Sequence, residues 1–212
     1  MNKNIKAYLM LVLASIFWAG NFIVGKFAFL EDIPPFSLVF FRWLTVWFIL
    51  LPFTYKEILN NKNNIFDSFP LLLLLGLTSV GLFNSFVYIS LNYTQVINAS
   101  LFNTAIPAAI IFLCFLFKIE NTNSHQLFGL LVSVIGVLAI ITRLDLDILL
   151  NLNFNIGDIW MICAVICWGI YSAFLKKLKL KISLLTLVRV LCSCGLLFLF
   201  PQFVYEYIHG EI

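Results

Sequence analysis

The sequence predicts an all-α polytopic membrane protein of about seven transmembrane helices: a five-helix repeat followed by the first two helices of an inverted second repeat. Three observations carry that expectation. The 212 residues are 62% hydrophobic and 11% charged, against roughly 25% charged in an average globular chain, so a soluble domain of this size could not hide its apolar surface. The apolar runs suit membrane-spanning helices and are too long for barrel strands, and in hydrocarbon only helices and closed barrels satisfy every backbone N–H and C=O. Third, Ala14, Ile16, Trp18, Lys26 and Leu30 recur 150 residues later as Ala164, Ile166, Trp168, Lys176 and Leu180, and Arg42 recurs 147 later as Arg189. An odd number of spans separates the copies, so the second crosses in the opposite direction, as in inverted-repeat secondary transporters.

The expected spans are 7–29, 36–54, 69–91, 96–117, 126–142, 158–175 and 184–205. The first follows Lys3 and Lys6 and looks at first like a signal peptide. It runs on for some 20 residues through Trp18, Gly20 and Asn21 without a small-x-small cleavage site, so it reads as a retained helix. Pro34–Pro35 opens the second span and Pro70 the third, where a missing N–H costs nothing. Pro107 lies inside the fourth and predicts a kink or break near 103–107. Gly129, Ser133 and Gly136 form a small-residue stripe on the fifth, and Gly76 and Gly81 a looser one on the third; both read as close helix packing. Asp158, after Gly157, is expected to cap the sixth. The segment 144–156, LDLDILLNLNFNI, alternates in part and predicts an extended piece at the outer interface. The domain reading is therefore 1–142 for the first repeat, 143–157 for an outer linker and 158–212 for a partial second repeat.

Basic residues set the orientation. With the N-terminus inside, the inner segments hold nine lysines (Lys3, Lys6, Lys56, Lys62, Lys118, Lys176, Lys177, Lys179, Lys181) and the outer segments hold only Lys26 and Arg143. The expectation is an N-inside, C-outside integral protein of a bacterial cytoplasmic (inner) membrane. A receptor-like seven-helix protein would place its N-terminus outside. The bilayer is the expected partner, and the cluster Lys176–Lys181 suits anionic lipid. A nucleic-acid partner is not expected from a net charge of +3 spread this way.

Enzyme chemistry finds no footing. His125 and His209 stand alone, and every Asp and Glu falls in a loop or near a helix end. Cys163 and Cys167 share a helix face without further ligands, so the cysteines read as small hydrophobes, no metal site is expected and no cofactor is implied. Polar, aromatic and cationic groups remain inside the spans. Trp18 and Asn21 share a face at i,i+3, as do Trp168 and Tyr171; Asn84 and Tyr88 do so at i,i+4. Asn98 and Asn103 precede Pro107. Buried amides cost several kcal/mol when unpaired, by rough transfer scales, so they should face the bundle interior or a wet cavity. They could line a substrate path or simply bond helix to helix. Arg42 and Arg189 each lie about 9 Å of helix inside a span, near opposite faces. They could draw anionic or zwitterionic solutes to opposite mouths, or anchor at the headgroups.

LASIFWAGNFIVGKFAF and IPPFSLVFFRW resemble the first two helices of EamA-type proteins of the drug/metabolite transporter superfamily. GLFNSFVYISLNYTQVINASLFNTAIPAAIIFLCFLFKIE resembles their third and fourth, with Asn98, Ala99, Ser100, Asn103, Pro107 and Glu120 at related positions. QLFGLLVSVIGVLAI resembles the glycine-spaced fifth helix. NIGDIWMICAVICWGIYSAF, with Gly157–Asp158 and Trp168–Gly169, resembles the start of a second repeat. The resemblance implies a ten-helix, two-repeat transporter of small organic solutes that works by alternating access without ATP. Against that pattern the chain is truncated after its seventh helix. It reads as a piece of a longer protein, or as one that recruits helices from another chain or a further copy of itself. The functional expectation is a permease or exporter whose path includes Trp18, Asn21, Arg42, Asn84, Tyr88, Asn98, Asn103, Pro107, Trp168, Tyr171 and Arg189. The alternative is a non-transporting membrane remnant or scaffold.

Overall fold

The computed structural model describes residues 3–120, 123–142 and 155–209. In chain order its helices are α1 (Lys3–Leu30), α2 (Pro35–Asn60), the short α3 (Lys62–Asp67), α4 (Phe69–Gly76), α5 (Phe83–Tyr93), α6 (Val96–Phe102), α7 (Ile106–Leu116), α8 (Ser124–Thr142), α9 (Ile156–Leu175) and α10 (Leu184–Ile208). A π-helical turn, Leu77–Leu82, joins α4 and α5 into one rod. A 3-10 turn, Asn103–Ala105, does the same for α6 and α7. Among the described residues six rods of 20 to 26 residues are long and apolar enough to cross a membrane, where roughly 20 are needed. The expected fifth span forms α8, 19 residues long. The protein is an all-α polytopic membrane protein.

Local chemistry explains the ends and the irregularities. Proline opens α2 and α4 and stands at the first turn of α7, so the expected break before Pro107 is the 3-10 turn. Hydroxyls inside the apolar rods are satisfied locally: Ser15, Thr54, Ser79 and Ser85 each donate to the carbonyl four residues back. The cap expected from Asp158 belongs instead to Asn155, whose side chain accepts from the Gly157 N–H at 2.8 Å. Asp158 sits a residue further on, in the first turn, where a carboxylate meets the positive end of the helix dipole. Most of the expected outer linker, residues 143–154, lies outside the described residues.

The rods pack around a core that includes Val39, Leu72, Leu75, Val87, Leu91, Met161 and Leu199, all fully buried. The pair α2 and α10 makes the most extensive contact, and α9 lies against α5 and α7. Here the glycine expectation is corrected in part. At Gly129 and Gly136 an added methyl group would meet nothing within 4 Å, because that face of α8 turns away from the rest of the described chain. The close approach is between Gly76 and Gly195. A Cβ on Gly195 would lie 2.5 Å from the Val80 Cβ and 3.0 Å from the Gly76 carbonyl oxygen, and one on Gly76 would lie 2.5 Å from the Cys194 Cβ. Two glycines let the α4 and α10 backbones touch, which fixes how α10 crosses the bundle.

Candidate functional site: a cavity centred on Arg42

A cavity of about 1050 Å³ opens between α1, α2, the α4–α5 rod, α9 and α10. That exceeds the ~300–1,000 Å³ of typical small-molecule sites. Seven of the residues expected on the path line it: Trp18, Asn21, Arg42, Asn84, Tyr88, Trp168 and Tyr171. Three rods meet there through one guanidinium. Arg42 Nη1 donates to the Asn21 side-chain oxygen and to the Tyr88 hydroxyl. Its Nη2 donates to Asn84 Oδ1 at 2.7 Å, and Tyr88 donates to Asn21 Oδ1 at 2.7 Å. The network ties α1, α2 and α5 together with neutral partners only.

The π-helical turn explains why Asn84 presents its oxygen. In that turn the Phe83 N–H bonds to the Thr78 carbonyl, five residues back, and the ladder shifts by one residue. The Asn84 amide nitrogen donates to the carbonyls of Ser79 and Val80, five and four residues back, at 2.8 and 3.2 Å. Only the amide oxygen is left for Arg42. The opposite wall is aromatic. Trp18 meets Trp168 edge-on with centroids 5.2 Å apart, and Trp168 lies 4.6 Å from Phe83 and 5.1 Å from Tyr171. Edge-on and tilted pairs are the stable arrangements for such rings.

The other four expected residues lie elsewhere. Asn98 lines a smaller polar cavity of about 310 Å³ with Lys26, Asn92, Thr94 and Asn155. There Lys26 Nζ donates to the carbonyls of Leu91, at 2.7 Å, and Thr94, at 3.2 Å, at the C-terminal end of α5 where a cation is favoured. Asn103 is partly buried in the 3-10 turn and its Oδ1 has no partner among the described residues; Pro107 is exposed one turn on. Arg189 is 8% exposed and packs into the α2–α10 seam, where Nη1 donates to Thr54 Oγ1 at 3.0 Å and to the Leu51 carbonyl at 3.4 Å. Its guanidinium lies 4.9 Å from the Trp47 ring.

The seam also shows two residues the sequence reading passed over. Glu206, near the end of α10, accepts from the Phe36 N–H at 3.0 Å and from the Ser37 N–H and hydroxyl at 2.7 Å each. It caps α2, whose own cap residue, Pro34, offers no side-chain acceptor. Glu57, near the end of α2, braces the start of α10 in a related way: it accepts from the N–H of the cap residue Ser183 at 2.6 Å and from the Ser183 and Thr186 hydroxyls at 2.5 Å, while Ser183 itself accepts from the Thr186 N–H. The two caps are reciprocal, and they define a register. Ser37/Thr186, Pro52/Pro201 and Glu57/Glu206 all pair 149 residues apart. The arginines pair at 147, two residues out of that register, which is about 200° around a helix. This is why Arg42 faces the cavity and Arg189 faces the seam. The spacing P-x-x-x-x-E at 52–57 and 201–206 was the available signal.

The profile of the EamA-like transporter family matches residues 5–142. The chain belongs to the EamA-like transporter family. It is 32% identical over 200 residues to an uncharacterized transporter of Archaeoglobus fulgidus, covering 93% of this chain and 67% of that one. The uncharacterized transporter YyaM of Bacillus subtilis is 24% identical, over 82% of this chain and 57% of its own. A WAT1-related protein of Arabidopsis thaliana is 26% identical, over 89% and 62%. The chain thus spans between 57% and 67% of the length of these relatives. No solved structure matches it.

Proposed function

We propose that this EamA-family chain is the solute-binding part of a secondary transporter that moves small organic solutes across a membrane by alternating access. The observation that carries the reading is the Arg42 cavity. A charged group and three neutral hydrogen-bonding side chains converge with an aromatic wall inside a largely apolar bundle, and ionisable groups at membrane depth are retained at a cost, which marks them as functional. Trp18, Asn21, Asn84, Tyr88, Trp168 and Tyr171 form the path. The reciprocal caps of Glu57 and Glu206 support a second repeat related to the first by inversion, because one device recurs at opposite ends of one helix pair. Nine lysines fall at the end of the bundle where α2 ends and α10 begins, so that end is proposed to face the cytoplasm and the first helix to start there.

The test is flux. The native polypeptide, reconstituted into sealed proteoliposomes, should move at least one member of a broad panel of labelled organic solutes down its gradient, and Trp168→Ala should reduce that flux without reducing the amount of inserted protein. Insertion and stable folding with no flux for any solute would overturn the transport reading in favour of a membrane scaffold.

A further inference from the structure

We infer that the Arg42 cavity takes an amphipathic carboxylate, its single anionic group held by Arg42 and its apolar body held by Trp18, Trp168 and Tyr171. This rests on the proposal that the cavity is the solute site.

The hydrogen-bond accounting selects the sign of the ligand. A guanidinium has five N–H bonds. Three of Arg42's are engaged, two from Nη1 and one from Nη2. Nε–H and one Nη2–H hold no bond among the described residues, and those two nitrogens form the edge by which arginine grips a carboxylate in bidentate fashion. The acceptors around it are already bound to it. Asn21 Oδ1 receives both Arg42 and Tyr88, and Asn84 Oδ1 receives Arg42. The Asn84 amide nitrogen is tied to the backbone, while the Asn21 amide nitrogen holds no bond among the described residues. Asn84 Oδ1 keeps one lone pair and the Tyr171 hydroxyl can donate or accept, but the charged capacity left over at Arg42 is donor capacity, and a ligand that fits it supplies acceptors.

The charge balance agrees. Arg42 is the one charged side chain among the described residues that line the cavity, and no carboxylate is there to meet an ammonium. A cation would face unrelieved repulsion from Arg42 in a medium of low dielectric. A zwitterion would gain the arginine contact and lose on its ammonium. The rest of the wall, Ser79 apart, is apolar: Phe17, Val24, Val46, Phe83, Val188 and Leu191 join the rings, and room on this scale suits a ring-sized body.

Four probes with one phenyl body separate the possibilities: 3-phenylpropanoate, phenylalanine, 3-phenylpropylamine and 3-phenylpropanamide. Titrated against the protein in neutral detergent micelles and read by tryptophan fluorescence, 3-phenylpropanoate should bind about tenfold or more tightly than the amide and the amine, the scale of one charge-assisted contact. Phenylalanine should fall below 3-phenylpropanoate. Arg42→Gln should erase the preference. Because Arg42 ties three helices, Arg42→Lys serves as the second variant. It keeps the charge and lacks the bidentate edge, so it should weaken 3-phenylpropanoate binding while leaving amide binding unchanged. Equal affinity for all four probes, or tightest binding of the amine, overturns the proposal. So does a result in which phosphatidylglycerol stabilises the wild type through Arg42 and 3-phenylpropanoate neither binds nor competes; the anion would then be a lipid headgroup. Carboxylate binding without flux in vesicles would sink the transport reading and leave the ligand class standing. Flux of other solutes without carboxylate binding would do the reverse.

Discussion

Removing the Glu206 carboxylate tests whether α10 holds α2 in place. Glu206 is 2% exposed and accepts three hydrogen bonds, two of them from the first backbone N–H groups of α2. Glu206→Ala would leave those N–H groups and the Ser37 hydroxyl without their acceptor. Each orphaned buried donor costs about 1–3 kcal/mol, and the lost favourable dipole contact adds about 0.3–1 kcal/mol. Three offsets reduce the sum. The Ser37 hydroxyl can turn back onto the helix, water can reach the end of a rod, and the carboxylate no longer has to be desolvated. The expected net loss is about 2–4 kcal/mol, above the ~0.5–2 kcal/mol of an ordinary cap deletion. Glu206→Gln should lose about half as much, because its amide keeps one acceptor and turns a donor toward a donor. The assay is equilibrium unfolding in mixed micelles of increasing denaturing detergent, followed by tryptophan fluorescence and far-UV dichroism. A change below about 0.5 kcal/mol for Glu206→Ala would refute the cap as a structural tie, since that is the level of an inconsequential surface substitution.

Further expectations follow from the same geometry. Gly195→Ala should destabilise by about 1–3 kcal/mol through overpacking against Val80 and the Gly76 carbonyl, while Gly129→Ala, which meets nothing, should leave the unfolding midpoint unchanged. Arg189→Met should lower stability, through the lost Thr54 bond, without changing the probe preferences of the Arg42 cavity; a loss of carboxylate binding at unchanged stability would place Arg189 in the ligand path instead. Asn84→Leu should free the Ser79 and Val80 carbonyls and remove an Arg42 partner, so it should cost stability and also weaken ligand binding, measured by the same micelle titrations. Lys176 bonds Glu120 at 2.6 Å, and that hydrogen bond holds its ammonium above the ordinary lysine range. A raised pKa of this kind supports the fold below the unfolded lysine value and is lost as pH rises past the folded one. The pair is exposed, so Lys176→Gln should shift the midpoint only slightly, and less at high salt.

Composition determined the class, and run length placed the spans, six of the seven expected being long and apolar enough to cross a membrane among the described residues. An apolar fraction that no soluble core can absorb has one solvent to go to, and hydrocarbon permits no unpaired backbone, so the helices were legible from run length. Proline positions foretold the helix starts and the break before Pro107, because a missing N–H acts locally. Seven cavity residues were also legible, since each is a costly polar or indole-bearing side chain in an apolar run that needs an inward face. What the sequence could not carry was pairing at a distance. Glu206 caps a helix 169 residues away, and the only trace in the chain is a proline–glutamate spacing that recurs at 52–57 and 201–206. The arginine echo misled for the same reason: a two-residue offset is small along a sequence and is half a turn around a helix. The glycine contact that sets α10 against α4 arises only where two backbones meet. A run of residues encodes its own solvent and its own breaks; which donor finds which acceptor was decided by the packing of the rods.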